Sequence, residues 1–520
     1  MRRTRRLLVH LAVLVVAVLG PGAPVAGADP LDLREVTIPQ LERAVKGGAV
    51  TCRAVIRGEL DRIAAFDDAG PRLNAVIAVN PHAMQDAAAL DERRAAGNGL
   101  GPAHCLPVVV KDNIETEQVR TTFGSPLFSS WTPVDDAPIV DGLRDKGAVV
   151  LAKGNLDDFA AAVYGTSSID GGMHNPYDGT RTVGGSSGGP AVAVAAGYAP
   201  LGIGTDTGGS IRIPAAFNGV VAIRPTKGLV SQAGMSPRAL TQDTAGPLAR
   251  TVADAARGLD LIADADRVPR TGYASLATGR RLADVRIGVI REGIPLWGGI
   301  DPGVAALEER AIAELEALGA TVVDLPRDFV DRLDRGFDCS DCLLDSSVIG
   351  FESRRDLTRY LATRSPPPPV SSFDELYASG AYTVYAKEAF DREATVDLDD
   401  PATAAAYRTS LDRQAQLRDA TLEILARLHL DAVMYPSATW FPDPIGVEQS
   451  GVFTRWSEQT GFPSIAVPMG YGQPTANPSQ APLPASLELL GRPFHEGTLI
   501  RIASAYERAA DVRVPPASTP

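Results

Sequence analysis

Apolar positions in the first part of the chain recur at helical spacing. Ile38, Leu41 and Val45, then Cys52, Val55, Ile56, Leu60 and Ile63, form stripes interrupted at Gly47 and Gly48, and predict a helical layer over 36–66. From Asn74 the pattern changes. Apolar runs at 75–79, 106–110, 148–152, 200–204, 219–223, 285–290, 320–324, 430–435 and 463–468 alternate with amphipathic helical stretches. Such alternation predicts an α/β fold, a large sandwich with helices on both faces of a mixed, twisted sheet. The run from Ser365 to Pro369 breaks the pattern most sharply, and with the mostly helical stretch 336–429 it marks an inserted helical subdomain. No internal repeat or low-complexity linker divides the rest, so one large elaborated core over 29–520 is expected.

The extreme N-terminus has a different pattern. Arg2, Arg3, Arg5 and Arg6 precede an apolar run from Leu7 to Leu19, and small residues follow at Ala26 and Ala28. This predicts an export signal over 1–28 with cleavage after Ala28, the alternative being an uncleaved anchor. The mature chain is then expected to be secreted or held in the cell envelope, without stable membrane insertion. Thr4-Arg5-Arg6-Leu7-Leu8 resembles a twin-arginine motif, but arginine pairs are common in basic leaders, so the export route stays open. The formal charge of −13 becomes −17 once the four arginines are removed. That balance argues against nucleic acid or anionic membrane as a partner.

Four cysteines, Cys52, Cys105, Cys339 and Cys342, make an even count that permits disulfides in an exported chain without fixing their pairing. Cys339 and Cys342 have the spacing of a redox pair or half a zinc site. No second cysteine pair and no His-x-x-x-His completes a metal shell, so structural disulfides or plain thiols are expected, with no metal and no cofactor.

Glycine is concentrated between Gly171 and Gly228, in the clusters Gly184-Gly185-Ser186-Ser187-Gly188-Gly189 and Gly202-Ile203-Gly204-Thr205-Asp206-Thr207-Gly208-Gly209-Ser210. Glycine lets a backbone approach a ligand closely, at an entropic cost that a merely structural loop has little reason to bear twice. Neither cluster has the ending of a P-loop or the spacing of a dinucleotide fingerprint, which disfavours nucleotide binding. The first matches Gly-x-Ser-x-Gly, a nucleophile elbow, and Asp431 and His495 follow in triad order. An elbow must follow a buried strand, however, and residues 175–183 read as turn. An esterase with Ser186 as nucleophile is therefore the second reading.

The second cluster has the better context for a nucleophile. Leu201 to Asp206 reads as a strand and Thr207-Gly208-Gly209 as a tight turn, whose successive N–H groups can converge on one oxygen, ahead of Ser210. A serine needs a base. The chain uses arginine 44 times and lysine six times, and one of those lysines, Lys111, ends the run Val108-Val109-Val110. An amine able to lose its proton is one explanation for that choice, and a solvated strand end is the other.

At this point the motifs resemble those of the amidase signature hydrolases. The matching segments are Cys105 to Ile114, Gly184 to Gly189, Gly204 to Ala215, Gln242 to Pro247, Gly461 to Pro468 and Leu489 to Phe494. The resemblance implies the amidase signature fold and a Ser-cisSer-Lys triad acting on amides, with Ser210 attacking the carbonyl, Ser186 on a cis peptide bond relaying the proton, and Lys111 as base. It further implies an oxyanion hole at Thr207, Gly208 and Gly209, with Ser187, Asp206 and Arg212 holding the loops. The expected partners are a small-molecule or peptide amide and water. Export and the helical insert around Phe351 to Leu357 look most like the peptide-amidase branch, and an inactive binding protein with the same fold is the alternative from another class. Two positions depart from the family pattern: Cys105 stands where glycine is common, and Pro190 where a small or polar residue is.

Overall fold

The computed structural model describes residues 31–291, 299–334 and 342–520, apart from 448, 450, 453 and 477. The segment 1–28 and Cys339 lie outside the described residues. The predicted N-terminal layer is two helices, Ile38–Lys46 and Cys52–Phe66. Thr37 starts the first with a capping box closed by Gln40, Thr51 caps the second, and the predicted stripes are buried except at Leu60, which is half-buried.

The strands, in chain order, are β1 Val76–Val79, β2 Pro107–Lys111, β3 Val149–Gly154, the short pair β4 Thr166–Ser167 and β5 Gly171–Gly172, β6 Leu201–Asp206, β7 Val221–Arg224, β8 Thr244–Ala249, β9 Arg286–Val289, β10 Thr321–Asp324, β11 Ala432–Pro436, β12 Ser464–Gly472 and β13 Leu483–Leu490. All nine predicted runs are strands. Eleven strands form one mixed sheet in the order β1-β3-β2-β6-β8-β7-β12-β13-β11-β9-β10, while β4 and β5 pair separately. Helices cover it, and Asp32–Pro520 form one unit.

The register of two central strands sets the site. β2 runs parallel to β6 with Val110 opposite Ile203, so Lys111 and Asp206 leave the sheet at the same edge. The carboxyl ends of parallel strands are where open α/β sheets form their ligand crevices. Beneath that edge the packing uses small residues. Ala191, Val194 and Ala195 of the helix Gly188–Ala195 meet Ile211, Ala215, Ala222 and Leu248, which lets helix and sheet approach closely. The helices Ile349–Leu361, Phe373–Ser379, Val384–Ala394 and Pro401–Arg427 make up most of the predicted insert. Leu357, Phe373 and Phe390 from three of them pack against Phe123, Phe128 and Phe159 of the main body.

Cys52 and Cys105 form a disulfide with Cα atoms 5.5 Å apart, tying the start of the second helix to the turn that enters β2. Cys105 adopts a positive φ of 66° there. Cys342 is also disulfide-bonded. Among the described residues no helix is long and apolar enough to cross a membrane.

Candidate active site

Lys111, the last residue of β2, is completely buried, and its Nζ lies 2.7 Å from Ser186 Oγ and 2.9 Å from Thr205 Oγ1. A third partner, the carbonyl oxygen of Thr205, is at 3.4 Å. No carboxylate lies among these contacts. Burial lowers the lysine's pKa to about 7, against the pull of Asp157, Asp206 and Asp243. The amine is therefore poised to exchange a proton near neutral pH.

Ser186 is held by the peptide bond Gly185–Ser186, which is cis. No side chain fits at Gly185, because a Cβ there would stand 1.9 Å from Asp157 Oδ2. Asp157 is buried with a pKa raised to about 7 by that burial, and it accepts hydrogen bonds from the N–H groups of Tyr164, Gly165 and Thr166 at 2.9, 3.1 and 3.3 Å. Ser187 secures the neighbouring strand, donating from Oγ to Thr205 O at 3.1 Å, while its N–H donates to Ser210 O at 3.0 Å. The two glycine clusters thus meet through Ser187, which bonds to Thr205 and Ser210 of the second.

Ser210 follows the turn after β6 and is 7% exposed, whereas Lys111 is completely buried. Asp206 shapes that turn. Its carboxylate accepts from the N–H of Gly209 at 2.9 Å and of Ile211 at 3.2 Å, and from Arg212 Nε at 3.0 Å and Arg224 at 2.9 Å. Burial works to raise its pKa, but the two guanidinium groups outweigh that and hold it well below the usual carboxylate range. Arg212 also reaches Glu488 and Thr454 O, both at 2.8 Å. Ser187, Asp206 and Arg212 thus all bond within the loops around the two serines.

The turn itself qualifies the oxyanion assignment. The Gly209 N–H is already committed to Asp206, so the donors open to a ligand are those of Thr207, Gly208 and Ser210, which bond to no group among the described residues. Gly209 has a φ of +101°, and a Cβ on it would lie 2.4 Å from Thr454 Oγ1.

Several residues with parts in this site were not assigned from sequence. Thr205 and Asn113 surround the lysine amine, with Asn113 Nδ2 donating to Thr205 Oγ1 at 3.0 Å. Asp243 accepts from Thr207 Oγ1 at 2.5 Å, and Gln242 Nε2 donates to Thr207 O at 3.1 Å. The Gln242 Oε1 in turn accepts from Val348 N and Gln414 Nε2 at 2.9 and 3.1 Å, so the helical insert is bonded to the nucleophile turn. Asn113 and Thr205 both lie inside the quoted motifs, two positions after the lysine and one before the aspartate. Their neighbourhood to the serines was the available signal.

The elbow arrangement is not assembled. No strand leads into Ser186, His495 is an exposed residue at the start of the helix Glu496–Ala510, and Asp431 accepts from the N–H of Arg286 at 2.9 Å.

An 11-stranded mixed sheet carrying two glycine loops bonded to each other and a buried serine–lysine contact defines an α/β enzyme of the amidase signature class. A family model described as Amidase matches residues 54–500, so the chain belongs to the amidase family, enzymes that act on amide carbon–nitrogen bonds. It is 34% identical to a subunit of the glutamyl-tRNA(Gln) amidotransferase of Symbiobacterium thermophilum, over 90% of this chain and 96% of that one. It resembles the native peptide amidase of Stenotrophomonas maltophilia with a TM-score of 0.80 and 33% identity, over 94% of this chain and 99% of the other. An amidase family protein from Bacillus anthracis matches with a TM-score of 0.77 and 27% identity, over 93% and 92%.

Proposed function

We propose that this chain is an exported amidase that hydrolyses small carboxylic or peptide amides through an acyl-enzyme on Ser210. The observation that carries the proposal is the 2.7 Å contact between Ser186 and a fully buried Lys111 whose pKa is about 7. A neutral amine takes the Ser186 proton while Ser186 takes that of Ser210, and Ser210 Oγ bonds to the amide carbon. The carbonyl oxygen becomes an oxyanion facing the free N–H groups of the Thr207–Ser210 turn. Collapse breaks the carbon–nitrogen bond, and the leaving amine receives the proton back along Lys111 and Ser186. Water then repeats the sequence on the acyl-enzyme and releases the acid.

The second reading is a glutamyl-tRNA(Gln) amidotransferase component, favoured by the 34% identity to such a protein. Three observations weigh toward the free amidase. The N-terminal segment has the pattern of an export signal, Cys52 and Cys105 are joined as suits an oxidising compartment, and a peptide amidase is a structural neighbour at a TM-score of 0.80. The test is hydrolysis by the purified mature chain alone of a panel of aliphatic, aryl and peptide amides. Release of ammonia or amine from at least one supports the proposal. Activity that requires further protein components together with charged tRNA would assign the second reading.

A further inference from the structure

Lys111 has three hydrogen-bond partners, and a neutral amine has two N–H groups and one lone pair. The Thr205 carbonyl can only accept, so it takes one N–H. The relay requires the lone pair to face Ser186 Oγ. The second N–H must then go to Thr205 Oγ1, and that hydroxyl must act as an acceptor. If the hydroxyl turned its own proton toward Nζ, it would occupy the lone pair and the amine could not receive the Ser186 proton.

Asn113 prevents part of this. Its Nδ2 donates to Thr205 Oγ1 at 3.0 Å, so once the lysine N–H is added the oxygen accepts twice and its proton points away from both. Thr205 and Asn113 both line a cavity of about 10 Å³ together with Thr207, Ser236, Arg238 and Asp243. That is about the size that holds a single water. Two further polar atoms of lining residues, Asn113 Oδ1 and Ser236 Oγ, are buried with no protein partner. A guest bonded to all three atoms would accept one hydrogen bond, from Thr205, and donate to the other two. Water does both and makes the three bonds usual for a buried water, whereas an ammonium ion cannot accept.

We propose that one water molecule occupies this chamber and, with Asn113, fixes the Thr205 hydroxyl as an acceptor toward Lys111. Thr205 and Asn113 are thereby positioning residues for the proton relay. The inference rests on the function proposed above, but its tests are separate from it.

The direct test is a crystal structure of the mature full chain at a resolution that displays ordered water. One peak within hydrogen-bond distance of Thr205 Oγ1, Asn113 Oδ1 and Ser236 Oγ is expected. An empty chamber, or a peak that does not touch Thr205, overturns the proposal whether or not any amide is cleaved. The kinetic test uses Thr205→Val, Thr205→Ser and Ser236→Val. Loss of the hydroxyl is expected to lower kcat about 100-fold through misdirection of the amine, with Thr205→Ser restoring most of it. Filling the chamber with Ser236→Val is expected to cost about tenfold.

The pH profile separates positioning from general damage. Asp157, Asp206 and Asp243 act on Lys111 in wild type and variant alike. Thr205 Oγ1 supports the ammonium more than the amine, so Thr205→Val is expected to move the acid limb of kcat to lower pH while lowering its plateau. An amidase whose Thr205→Val and Ser236→Val forms keep the wild-type kcat and acid limb contradicts this inference alone. A wild-type chain that cleaves no amide contradicts the proposed function and leaves the crystallographic test to decide the water.

Discussion

Lys111 and Lys153 invite comparison because their backbones are nearly equivalent. They sit near the ends of the parallel neighbours β2 and β3, both completely buried, each after a run of apolar strand residues. Their partners differ. Lys153 Nζ is 3.1 Å from Asp112 Oδ1 and donates to Thr121 Oγ1 at 2.7 Å and Ile114 O at 2.8 Å. Lys111 contacts only hydroxyls and a carbonyl. Burial lowers the pKa of both, but Asp112 opposes it at Lys153, while the carboxylates acting on Lys111 make no hydrogen bond to it. Burial alone therefore does not make a base. A buried lysine with a carboxylate at contact distance is a structural cation, and one surrounded by neutral oxygens is available for proton transfer.

The largest expected effect is a contrast in stability at pH 6. The unfolded chain binds the Lys111 proton more tightly than the folded chain, with a pKa near 10.5 against about 7. Wild-type stability should therefore rise with pH across that window, and below pH 7 the buried amine costs about 5 kcal/mol. Lys111→Met should raise the melting temperature at pH 6, with the gap closing toward pH 10. Lys153→Met should instead lose about 3–5 kcal/mol, because Asp112 is left buried without its counter-charge, and adding Asp112→Asn should recover part of the loss. Thermal unfolding of the four proteins decides it. Equal losses for both methionine variants would erase the distinction drawn here.

Catalysis should divide the two lysines in the opposite sense. Lys111→Arg keeps a cation that cannot deprotonate, so it is expected to match Lys111→Ala to within about tenfold, both losing about 10³ or more in kcat with a folded far-UV spectrum. A rate near wild type for Lys111→Arg would mean that only the charge matters.

A smaller effect sharpens the comparison from the other end of β2. The Cys52–Cys105 disulfide closes a separation of 53 residues and anchors the turn that leads to Lys111. Its loss in Cys52→Ala with Cys105→Ala is expected to cost about 2–4 kcal/mol, measured by denaturant unfolding, with kcat changed less than in the Lys111 variants.

The sequence was most informative where physics repeats at short range. Nine apolar runs became strands, whereas β8 and β13 passed unnoticed because their composition reads as something else. β8 carries Gly246 and Pro247, a turn-like pair. Gly246 is required because a Cβ would lie 2.1 Å from Ile223 O, and β7 pairs with β8 only at Ala249 and Leu248, so that ladder has ended before the proline. β13 contains Glu488, which breaks an apolar pattern but is buried against Arg212 and Tyr435, partners 276 and 53 residues away. The serine–lysine cluster was legible through its motifs and through the rarity of lysine. Lys153 gave the same local signal as Lys111, and only the fold reveals which lysine has a carboxylate beside it. Thr205, Asn113 and Asp243 escaped for the same reason, since their roles depend on what distant strands bring against them.

The account rests on Ser210 being activated by an uncharged Lys111, and the rate of covalent labelling of the purified protein by a fluorophosphonate across pH tests it most directly. The predicted adduct maps to Ser210, and its rate of formation rises through a single ionisation near pH 7, where burial places Lys111. An adduct on Ser186, or a Ser210 rate that is flat from about pH 5 to 9, would contradict it.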